Sequence, residues 1–128
     1  MTKSQNLFEQ FRAMIQTDNI IVDLANGLIG HHAIISGPLG NRPLLYADYV
    51  ASGRALRQIE DFVLTELLPF YANSHTEASY VGGFMTNLRR EARDILRAEV
   101  NASKDHAVIF TGSGATAGIN QISHLICL

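Results

Sequence analysis

The chain has 128 residues, enough for one domain with a core, and 47% of them are apolar against 17% charged, a globular rather than a disordered composition. A formal net charge of −2 gives no electrostatic reason to expect a nucleic-acid or anionic-membrane partner. The opening MTKSQNLFEQ lacks a secretory signal, no apolar run is long enough to span a bilayer, and the single cysteine, Cys127, excludes an internal disulfide, so the expected location is cytoplasmic.

In chain order, Leu7, Phe8, Phe11, Met14 and Ile15 recur at helical spacing and predict an amphipathic helix over 5–16, ended by Thr17-Asp18-Asn19. Ile20-Ile21-Val22 is readable as helix or strand. Ala33–Ser36 and Pro43–Asp48 flank the turn-formers Gly37 to Asn41 and predict a hairpin. Leu56, Ile59, Phe62, Val63 and Leu67 share a helical face over 54–68, with Ser52 as a candidate N-cap and Pro69 as the stop. The segment from Phe70 to Gly83 has no periodicity and reads as a working loop, in which Tyr71 and Tyr80 are either packing residues or pocket walls. Met85, Leu88, Ala92, Ile95, Leu96 and Val100 predict a long helix over 84–102. Ser103-Lys104-Asp105 then turns into a strand, Ala107 to Thr111, and a last helix begins near Ala115.

This order gives an α/β class, with a glycine turn at the carboxyl end of a strand, where open α/β sheets take ligands. Ile119, Ile122, Ile126 and Leu128 carry the apolar face of the last helix to the final residue, without a glycine stop or basic last turn. The expectation is the front part of a larger protein.

The turn Gly112-Ser113-Gly114-Ala115-Thr116 suits an anion. The first amides of a helix have no acceptor within it, its dipole favours negative charge there, and glycines let the backbone approach closely. A nucleotide P-loop would need a lysine after the second glycine, but residue 115 is Ala; the third glycine of a dinucleotide fingerprint would fall one place late, at Gly118. What remains is a small phosphorylated cofactor held by its phosphate, or a plain tight turn in which Thr111 or Ser113 is an ordinary N-cap.

The run IFTGSGATAGIN resembles the phosphate-binding segment of class V aminotransferases and cysteine desulfurases, pyridoxal 5′-phosphate enzymes of the type I fold. LLYADYVASGRALRQIEDFV is similar to the family's opening strand and helix, with Asp48 and Ala51-Ser52 in the expected order. YANSHTEAS resembles its Asn/His loop near the active site, and LRREARDILRAEVNASKDHAVIF its helix, Asn-Ala turn and strand before the phosphate loop. The ordered set covers about 44–125. The resemblance implies an incomplete N-terminal part of that fold: a helix and hairpin segment over 1–53, then the start of the cofactor-binding large domain over 54–128. It further implies that Gly114, Ala115 and Thr116 contact the cofactor phosphate, Thr116 through its hydroxyl and the others through amides. Asn73 and His75 would lie on the substrate side. The substrate would be an amino acid and the complete enzyme a homodimer. The family's Schiff-base lysine follows the phosphate loop, whereas the two lysines here are Lys3 and Lys104, so this chain alone is expected to be inactive. The alternative is a truncated, non-catalytic module that pairs with a longer subunit.

Plainer roles stand beside these. His75 also suits a loop hydrogen-bonder, and His31-His32 a solvated approach to a strand. His124 and Cys127, three apart, have no further ligand cluster and read as helix side chains, with no metal expected. Arg89, Arg93 and Arg97 form a stripe interrupted by Glu91, Asp94 and Glu99, which reads as a solvated helix face.

Overall fold

The computed structural model describes residues 7–74 and 76–126. They form two compact units, Met1–Met85 and Thr86–Leu128. The secondary structure is mixed: helices and one small antiparallel sheet of two strands.

In the first unit, helix α1 spans Leu7–Ile15 and helix α2 spans Ile20–Gly27, so the ambiguous Ile20-Ile21-Val22 is helical. Helix α3 covers Arg57–Phe62. The α1 aromatics meet it with tilted rings, the Phe11 and Phe62 ring centroids 4.7 Å apart and those of Phe8 and Phe62 6.4 Å apart. Gln58 ties α3 to α2 by donating from Nε2 to the Asp23 carbonyl at 2.9 Å. Its amide fills the space beside Gly27, where any Cβ would collide with it.

Strands β1 (Ile34–Gly37) and β2 (Gly40–Pro43) form the hairpin, with Ile34 opposite Pro43 and Gly37 opposite Gly40. Gly40 has φ +89°, the left-handed region where glycine carries no Cβ penalty. The expected second strand, Pro43–Asp48, is therefore corrected: pairing ends at Pro43, with one further bond from the Leu44 amide to the Ala33 carbonyl at 2.8 Å. Beyond it Tyr46 folds the chain back. Its hydroxyl donates to the Ser52 carbonyl at 2.6 Å and lies 2.7 Å from the Ser52 Oγ. Ser52 is thus not the helix cap; Leu56 holds that position, without a side-chain bond.

The expected helix over 54–68 is also broken into parts. After α3 the chain widens to a π turn, Val63–Leu67, then tightens to a 3₁₀ turn, Leu68–Phe70, around Pro69. Helix α4, Tyr80–Glu99, starts earlier than its apolar periodicity suggests because Ser79 caps it: the Gly82 amide donates to Ser79 Oγ at 3.1 Å. Among the described residues the buried apolar side chains are Leu7 and Phe84 in this unit and Leu88 in the second.

In the second unit α4 ends at Glu99, Asn101 just beyond it takes the left-handed conformation with φ 54°, and helix α5 spans Gly114–Leu125. The strand expected over Ala107–Thr111 is not in a ladder; the chain there lacks regular secondary structure. Among the described residues the hairpin is the sole sheet. A ladder needs a partner as well as β-forming residues, and β-propensity reports only the second.

Candidate functional site: the mouth of the last helix

The path to the glycine turn begins at the C-terminus of α4. A compact turn follows Asn101, in which the His106 amide donates to the Ser103 carbonyl at 3.1 Å and Ser103 Oγ lies 2.9 Å from His106 Nδ1. Arg97 anchors it, donating from Nε to the His106 carbonyl at 3.3 Å and pairing through Nη1 with Asp94 at 2.7 Å. Four residues on, Phe110 lies under two guanidinium groups of α4, with Arg89 Cζ 5.6 Å and Arg93 Cζ 5.1 Å from its ring centroid. The arginine stripe is therefore not a merely solvated face. It holds the segment that delivers the glycine turn.

At the turn itself, Gly112 approaches the helix closely: a Cβ there would stand 3.2 Å from the Ala117 Cβ. Ser113 is the N-cap residue of α5, with φ −75° and ψ 138°, yet its hydroxyl makes no capping hydrogen bond. Gly114 follows at φ +75°, with open space where a Cβ would be. Residues 112–116 are exposed. No acidic residue occupies the first turn of α5, so nothing there opposes an incoming anion. The amides that begin the helix have no intrahelical acceptor, and the Ser113 hydroxyl remains uncommitted to a cap. Open backbone, left-handed glycine and unspent donors fit a phosphate ester, the charge a helix N-terminus prefers. The plain-turn reading with a Ser113 side-chain cap does not match this geometry.

Gly114, Ala115 and Thr116 are consecutive at this mouth. Asn73 is exposed, lies in a stretch without regular secondary structure, and belongs to the other compact unit. His75, Lys3 and Cys127 lie outside the described residues. Lys104 sits in the exposed turn between Asn101 and His106. His124 is in the last turn of α5, and no group of three or more His, Cys, Asp or Glu able to hold a metal occurs among the described residues. The residues that periodicity undervalued are Arg89 and Arg93. Their spacing put them on one face, and only an aromatic residue shortly after the helix, Phe110, hinted at what that face meets.

Among the described residues no helix is long and apolar enough to cross a membrane. No protein-family model, no curated protein and no solved structure matches the chain, so the helix mouth stands on its own geometry.

Proposed function

We propose that this chain supplies the cofactor-phosphate portion of a pyridoxal-phosphate-dependent enzyme of the class V aminotransferase and cysteine desulfurase kind, built on the type I fold and acting on an amino acid as a homodimer. The observation that carries this is the open mouth of α5, where Gly114 stands at φ +75° with open space at the Cβ position and residues 112–116 are exposed. Gly114 and Ala115 would offer backbone N–H groups to the phosphate and Thr116 its hydroxyl, with the spare Ser113 hydroxyl beside them. The two guanidinium groups over Phe110 add positive charge to the same unit. The cofactor ring, when bound, would supply an electron sink. The binding assigned to these residues is non-covalent and directed at the phosphate.

The test is a titration of the purified chain with pyridoxal 5′-phosphate, with inorganic phosphate and with pyridoxal, followed through the amide resonances of residues 112–117. Saturable shifts with the two phosphates and none with pyridoxal are expected. Equal response to pyridoxal, or no phosphate-dependent response, refutes the reading.

A second reading, a non-catalytic module that pairs with a longer subunit, is favoured by a different observation. Ile119, Ile122 and Leu125 on α5, with Ile126 at its C-cap, are each 58–62% exposed. Exposed apolar side chains grouped on one helix mark an interaction surface. Co-purification with a longer chain that carries the Schiff-base lysine supports it; a chain that sediments as a monomer beside that subunit refutes it.

A further inference from the structure

Helix α3 and the π turn that follows it form one wall of a cavity of about 340 Å³ in the first unit, lined by Met14, Arg57, Asp61, Phe62, Thr65 and Glu66 together with Gly27 and Gln58. Such a volume accommodates a small organic molecule. Met14 and Phe62 give it apolar surface, and the charged groups of its lining are one guanidinium and two carboxylates, a net single negative charge.

Helical spacing brings both carboxylates to one cavity. Residues four apart on a helix lie one above the other, so Asp61 with Thr65 and Phe62 with Glu66 form adjoining rows of the same wall. The wall runs from α3 into the π turn, Val63–Leu67, which the Leu68 amide closes on the Val63 carbonyl. Thr65 is fixed in the turn by donating to the Asp61 carbonyl at 2.8 Å. On the same helix Gln58 is pinned by its bond to the Asp23 carbonyl, and its Oε1 is buried without a partner. The cavity thus joins the apolar surface of Met14 and Phe62 to the carboxylates of Asp61 and Glu66.

We propose that this cavity binds a small amphipathic amine, its apolar body against Met14 and Phe62 and its ammonium group between Asp61 and Glu66. Charge complementarity selects the cation over a neutral or anionic molecule of the same shape. The site is independent of the phosphate mouth on α5, and the fate of one leaves the other standing.

The full chain would be titrated with 2-phenylethylamine, 2-phenylethanol and phenylacetate, following the amide resonances of residues 57–66. The amine should saturate and bind at least about threefold more tightly than the alcohol, with phenylacetate weakest, and its advantage should shrink as salt is raised. Asp61→Asn and Glu66→Gln should each weaken the amine about two- to five-fold, the range of partly exposed ion pairs, and leave the alcohol unchanged. Thr65→Phe, which fills the cavity, should remove both. Unchanged helical circular dichroism would confirm that each variant is folded. Equal affinity for amine and alcohol, an Asp61→Asn/Glu66→Gln double variant that binds the amine as the parent does, or no saturable binding overturns the proposal.

Discussion

Arg93 holds its guanidinium over the ring of Phe110, 5.1 Å from the centroid, and so joins the middle of α4 to the segment that leads into the glycine turn. Arg89 makes the same kind of contact at 5.6 Å. Exposed cation–π contacts are worth about 0.5–1 kcal/mol each. Phe110→Leu, which keeps an apolar side chain but removes the ring, should therefore destabilise the chain by about 1–2 kcal/mol. Arg93→Met should lose about half as much. Urea unfolding followed by helical signal measures both, and a Phe110→Leu midpoint equal to the parent's would show that the stack contributes nothing.

Two serines precede helices, and only one of them caps with its side chain. Ser79 Oγ accepts from the Gly82 amide at 3.1 Å, whereas the Ser113 hydroxyl makes no cap bond. Ser79→Ala should cost about 1 kcal/mol of stability, the usual value for a lost N-cap. Ser113→Ala should change stability by no more than a few tenths of a kcal/mol, about the scatter of a neutral surface substitution, and should instead lower phosphate affinity. A Ser113→Ala variant as destabilised as Ser79→Ala would contradict the open-mouth geometry.

Gly114 and Gly118 should respond to alanine with opposite signs. Neither has an atom within 4 Å of the position a Cβ would take, so steric fit does not separate them. Backbone does. Gly114 stands at φ +75°, where an L-residue pays about 1–2 kcal/mol. Gly118 lies inside α5, where alanine gains roughly 0.5–1 kcal/mol over glycine. Thermal unfolding of the two variants should bracket the parent, and Gly114→Ala should also weaken phosphate binding.

Arg54 links two distant stretches of the first unit. Its Nη2 donates to the Ile29 carbonyl at 2.8 Å while its guanidinium lies 5.3 Å from the Tyr46 ring centroid. Tyr46→Phe removes the hydroxyl bonds to Ser52 but retains the ring, so it should leave the Arg54 contact intact. A Tyr46→Leu/Arg54→Met double-mutant cycle should then return a coupling of about 0.5–1 kcal/mol. A coupling indistinguishable from zero would show that the stack is geometric only.

Local chemistry made part of this structure readable from sequence. Helices α1, α4 and α5 follow from apolar spacing, and the hairpin from Gly37, Pro38 and Gly40 between apolar residues. What depended on a distant partner was not readable. Leu44 to Asp48 and Ala107 to Thr111 have strand-like composition, yet the first is drawn into a Tyr46–Ser52 turn and the second is met by arginine side chains rather than by a strand. Ser52 looked like a cap but binds Tyr46 instead. The π turn left no signature in VLTEL, whose residues suit any helix. The glycine turn was legible because a positive φ and a tight approach are demands that glycine meets one residue at a time.

Only Leu7, Phe84 and Leu88 count as buried apolar side chains among the described residues, while Ile21, Leu39 and Leu45 are each more than 80% exposed. Melting such a chain wets little new hydrocarbon. Its heat-capacity increment in calorimetry should therefore fall below the roughly 12–15 cal/mol/K per residue of well-filled domains. The stability curve should be correspondingly flat, changing slowly between refrigeration and body warmth, because the water that normally reorders on melting already surrounds these side chains.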